Sequence, residues 1–92
     1  MNRTTIKELM SAVVESMNHQ DNVSDEFDSY GYRLAKPGDS IDDSVVAYLY
    51  YPSGYESIPR EVTIEELEDL ERYKSNHNQK ELDNYIMYNF GI

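Results

Sequence analysis

The chain has 92 residues with a formal net charge of −10, from 18 acids against eight bases, and 39% of it is hydrophobic. That is enough for one small domain with a thin core, for which dimerisation would supply extra buried surface. There are no cysteines, which excludes disulfides, thiolate metal sites and cysteine nucleophiles and fits a reducing compartment. The N-terminal stretch from Met1 to Met10 has no long apolar run, and no segment reaches the roughly 18 apolar residues of a membrane span. The expectation is a soluble, cytoplasmic protein without a signal peptide or membrane contact.

In chain order, Thr4 or Thr5 is placed to cap a first helix running to about His19, with Glu8 completing a capping box from Thr5. Ile6, Leu9, Met10, Val13, Val14 and Met17 recur on one helical face and are read as core. Residues Asp21 to Asp28 break that pattern and read as a loop or strand lead-in. A strand is expected from Ser29 to Ala35. Lys36 to Ser44 forms a turn region in which Pro37-Gly38 suits the central positions of a type II turn. Val45 to Tyr51 is the strongest strand signal, nearly continuous in β-branched and aromatic residues. Tyr55 to Val62 reads as a short edge strand, because Pro59 lacks an N–H and is out of place in a central one.

Thr63 and Glu66 then form a capping box that opens an acidic helix to about Ser75. Glu65 and Glu66 suit its positive N-terminal end, and Arg72 and Lys74 its C-terminal end. Ile64, Leu67 and Leu70 share its apolar side. Asn76 to Asn78 interrupts the helical pattern. A last helix from Gln79 to about Asn89 buries Leu82, Tyr85, Ile86 and Phe90, with Gly91 as its stop. The order points to an α+β fold: a small antiparallel sheet of two or three strands, with an N-terminal helix and two C-terminal helices packed on it.

Sequence patterns for catalysis or cofactor binding are absent. His19 and His77 sit at element ends with no sequence neighbour that makes a ligand or catalytic pair. The run from Asp39 to Ser44 fails as an EF-hand, with Ile41 at the third position, Ser44 in place of glycine and Tyr50 in place of the terminal glutamate. The four glycines are isolated, so there is no phosphate-binding loop. Carboxylate pairs such as Glu65/Glu68 would need a pocket that separates their pKa values, and a chain this short builds a deep pocket with difficulty. The expectation is a non-enzyme without cofactor or metal.

Charge is the functional signal. From Glu61 to Glu71 there are six carboxylates and no base. Residues three or four apart on a helix are neighbours, roughly 5–6 Å between Cβ atoms. Such spacing is comparable to phosphates along a nucleic-acid strand, about one charge per 3.4 Å of axis. An acidic surface repels DNA, RNA and anionic membranes, so direct nucleic-acid binding is not expected. It attracts basic surfaces, of which nucleic-acid-binding sites are the commonest large class. The expected partner-binding surface is Glu61, Glu65, Glu68, Asp69 and Glu71, extended in the loops by Asp21, Asp25, Glu26, Asp28, Asp39, Asp42 and Asp43. Nine tyrosines against two phenylalanines and no tryptophan add a second signal. Tyrosine suits both strands and binding surfaces.

The length, the acidity, the absence of cysteine and the Tyr-rich α+β pattern resemble those of phage-encoded DNA-mimic anti-restriction proteins, in particular the anti-restriction nuclease (Arn) proteins of T-even phages. The resemblance covers the whole chain in size and composition and rests on no diagnostic motif. It implies a homodimeric mimic of duplex DNA in the host bacterial cytoplasm. The implied target is a host DNA-binding protein, the modification-dependent restriction endonuclease McrBC. Other acidic phage inhibitors, anti-CRISPR proteins among them, have similar composition. Glu8 and Glu15 are mixed with Arg3 and Lys7, so charge on the first helix need not belong to the mimic face. The alternative is a small acidic interaction module (antitoxin-like, transcription regulator or subunit) that binds through a Tyr-rich apolar surface.

Overall fold

A computed structural model describes residues 1–21, 29–39, 42–52 and 59–91. Helix α1 spans Arg3–Gln20, strands β1, β2 and β3 span Gly31–Leu34, Val45–Tyr50 and Arg60–Thr63, and helices α2 and α3 span Ile64–Asn76 and Gln79–Phe90. The strands form one antiparallel sheet in the order β1-β2-β3. This is the expected α+β arrangement, with the Pro59-flanked strand at an edge.

The cap of α1 corrects the sequence expectation. Asn2, not Thr4 or Thr5, is the N-cap, and its side chain accepts from the Thr5 amide at 2.8 Å. Asn is among the strongest N-caps, and its use places Thr5 inside the first turn. Ile6, Leu9, Met10, Val13 and Met17 are buried, while Val14 is half-buried. Helix α1 runs antiparallel to β1 and is fastened along its length. Arg3 donates to the Ala35 carbonyl at 3.4 Å, Ser11 and Tyr32 share a hydroxyl–hydroxyl bond at 2.9 Å, and Asn18 accepts from the Tyr30 amide at 2.8 Å.

The turn into β2 holds the Asp39 amide 3.0 Å from the Lys36 carbonyl, and Gly38 has φ +88°. That is the left-handed residue a type II turn requires. In β2, Ala47 and Leu49 face the core. The pairing with β3 shifts between Val45 and Ala47, and the Val46 carbonyl accepts from the Ala35 amide at 2.9 Å.

The capping box at Thr63 and Glu66 is present as expected, and a second joins Asn78 and Glu81. Leu67, Leu70, Leu82, Ile86 and Phe90 close the core against α1 and the sheet. Fully burying one such side chain contributes about 1.5–3 kcal/mol. Gly91 ends α3 for a local reason: a Cβ there would run into the Met87 carbonyl that accepts the Gly91 amide.

Candidate anionic partner-binding surface

Helix α2 turns Leu67 and Leu70 inward, so Glu65, Glu68 and Glu71 fall on its exposed side. They form an i, i+3 row with about 4.5 Å of axial rise per step. Among the described residues none of the three makes an ion pair. A shallow groove of about 360 Å³ runs between this row and the start of α1, lined by Met1, Asn2, Thr5, Glu68 and Glu71.

The β1–β2 connection is brought to the same end of the molecule. The Ile64 amide donates to the Ser44 carbonyl at 2.8 Å, and Val45 is in register with Thr63. Asp42 and Asp43 therefore lie beside the first turn of α2. Asp42 accepts from the Ser44 hydroxyl at 2.7 Å and from its amide at 2.9 Å. Those bonds, the hydroxyl first, hold its carboxyl below the usual carboxylate range. On the other side Asp42 and Asp43 share a groove with Arg3 and Lys36, so the charge there is mixed.

The other sequence candidates are dispersed. Asp69 is ion-paired with Arg72, one turn along the same face. Asp39 is clamped by Arg33 at 2.7 Å and by the Lys36 amide at 2.8 Å. The guanidinium, then the amide, keep its carboxyl below the ordinary range. Glu61 belongs to β3 rather than to the acidic helix. It is exposed on the sheet face opposite the buried Val62, in register with Tyr48. Asp21 caps the far end of α1 and accepts from the Tyr30 hydroxyl. Asp25, Glu26 and Asp28 lie outside the described residues. The fold thus gathers Glu65, Glu68 and Glu71 with Asp42 and Asp43, and separates Asp21, Asp39 and Glu61 from them.

Two arginines are committed to internal contacts that sequence spacing alone does not reveal. Arg33 stacks over the Tyr48 ring at 4.4 Å and also donates to the Tyr50 hydroxyl at 2.6 Å. Arg60 stacks over Phe90 at 4.9 Å and pairs with Glu66 at 2.6 Å. Glu66 thereby serves the helix cap and the β3–α3 junction rather than the open face.

A cleft of about 350 Å³ between the helices is lined by Glu15, Ser16, His19, Lys74 and Asp83, among others. Its polar lining is largely tied up: Asp83 accepts from Ser16 at 2.7 Å and from Gln79 at 2.8 Å, and Gln20 donates to Ser16 and to the Asp83 carbonyl. Among the described residues no group of three or more histidines, cysteines or carboxylates is placed to hold a metal ion. Nor is any described helix long and apolar enough to cross a membrane.

Comparison with models of protein families, with curated proteins and with solved structures finds no match.

Proposed function

We propose that the chain is a DNA-mimic inhibitor that occupies the DNA-binding cleft of a host nuclease, with the restriction endonuclease McrBC as the target to test first. The observation that carries this reading is the unpaired row Glu65, Glu68 and Glu71, fixed on a capped helix beside Asp42 and Asp43. Lysines and arginines placed to grip phosphates would meet carboxylates at similar spacing. Long-range attraction would speed the encounter at low salt. The longest dimension is 34 Å, about one turn of duplex, and a symmetric dimer would double that track.

The rival reading is a non-mimic interaction module, favoured by Tyr88, which is 89% exposed on α3. Salt separates the two. The test is displacement of duplex DNA from purified McrBC by this protein, at low and at moderate salt. A charge mimic displaces DNA, less effectively as salt rises, and loses potency stepwise as Glu65, Glu68 and Glu71 are changed to Gln. Absence of displacement removes McrBC as the target. Binding that ignores salt and fails when Tyr88 is changed to Ala supports the apolar module instead.

A further inference from the structure

Three rings stack where α2 meets α3. Tyr73 lies against His77 with centroids 3.7 Å apart and planes 5° apart, and against Tyr85 at 4.2 Å and 20°. Two rings this close and nearly parallel to Tyr73 cannot share one of its faces. Tyr73 is therefore the middle of a column, and His77 and Tyr85 are its ends. His77 is held there by its Nδ1–H, which donates to the Tyr73 carbonyl at 2.9 Å. The outer π face of each end ring carries negative potential. Burial raises the Tyr85 phenol above its ordinary pKa, and the nearby Asp69 and Glu66 carboxylates add to the rise.

The same molecule shows twice what such a combination binds. Arg33 rests on the Tyr48 ring while paired to Asp39, and Arg60 rests on Phe90 while paired to Glu66. In each case a ring takes the guanidinium plane and a carboxylate takes its edge. At the column the carboxylate is Asp69. Its partner Arg72 is on the same helix, and both side chains are more than half exposed, so the pair can exchange with an outside cation.

We infer that the His77–Tyr73–Tyr85 column with Asp69 is a docking surface for an arginine on a basic protein partner. This rests on the anionic-surface reading and specifies it. The net charge of −10 draws a basic partner to the protein. The column then selects arginine over lysine, because a planar, weakly hydrated guanidinium stacks on a ring where an ammonium stays hydrated.

The test is an NMR titration of the intact protein with oligo-arginine and oligo-lysine peptides of equal length. The arginine peptide should bind about tenfold more tightly and shift the ring protons of His77 and Tyr85. Changing Tyr85→Leu together with His77→Ala should erase that preference and leave lysine-peptide affinity unchanged. Tyr85→Phe, which keeps the ring, should preserve it. His77→Ala alone, at an exposed position, should reduce the preference even if Tyr85→Leu loosens the seam. Equal affinity for the two peptides overturns the inference and leaves the anionic surface standing, as does a preference that survives the His77 and Tyr85 changes. Failure of both peptides to bind overturns both readings.

Discussion

The Ile64 amide and the Ser44 carbonyl meet at 2.8 Å, which fastens the first turn of the acidic helix to the turn carrying Asp42 and Asp43. Position on that end of the molecule is thus set by backbone, while the charges are carried by side chains that contribute little to the fold. Changes at the cap should consequently act on stability, and changes along the row should act on binding.

Thr63→Ala removes the side chain that accepts from the Glu66 amide. The expected cost is about 1 kcal/mol of unfolding free energy, the usual value of a lost N-cap. Urea denaturation measures it. A loss below about 0.3 kcal/mol would mean that α2 is held by packing alone, since even weak caps cost about 0.5 kcal/mol.

Arg72→Gln should strengthen binding. Arg72 sits within the acidic face and neutralises Asp69, and its removal takes the formal net charge from −10 to −11. Affinity for a basic target should rise roughly threefold at low salt, mostly through faster association. Stability should stay within about 0.5 kcal/mol, because the lost pair is exposed. Association rates across a salt series decide it, and a slower variant would contradict an electrostatic encounter through this face.

Acid should weaken the fold partly through Asp39. Its folded-state carboxyl is held low by the Arg33 side chain and then the Lys36 amide. A depressed folded-state pKa contributes stability above the unfolded value, near 3.9, and that contribution is lost as pH falls through the folded value. Asp42 acts in the same sense through Ser44. Denaturant midpoints compared between neutral pH and pH values below about 4 should drop less for Asp39→Asn than for the parent chain. An equal drop would show that the Arg33–Asp39 contact does not persist in solution.

Phe90 is 1% exposed, lies under the Arg60 guanidinium, and its carbonyl accepts from the Tyr51 hydroxyl at 2.9 Å. Phe90→Ala should cost about 3–5 kcal/mol, a large share of the stability of a small domain. Phe90→Leu should cost much less in packing while still removing the ring under Arg60. Thermal unfolding monitored by circular dichroism compares them, and near-equal melting temperatures would refute the placement of Phe90 in the core.

Signals that act within a few residues were legible in the sequence. The Thr63/Glu66 box, the Pro37-Gly38 turn and the edge position after Pro59 all appear as expected, since each depends on local backbone geometry. The start of α1 was misplaced because Asn2 and Thr5 are both competent caps, and the sequence does not rank them. The site was legible only in part. Glu65, Glu68 and Glu71 follow from helical periodicity. The commitment of Arg33 to Asp39 depends on the path of the turn, and the distance of Asp21 from the row depends on the direction of α1. The ring column joins Tyr73 and His77, an i, i+4 pair, to Tyr85 on another helix. Only tertiary packing supplies that third ring.

The row of glutamates on α2 makes dissolved ions act on this protein in two opposing ways. Like charges three residues apart repel, and screening relieves that repulsion, so added salt should raise the melting temperature. The same screening shortens the reach of the field that draws a cationic partner. The conditions that best preserve the free protein are therefore those in which it is least able to find what it binds.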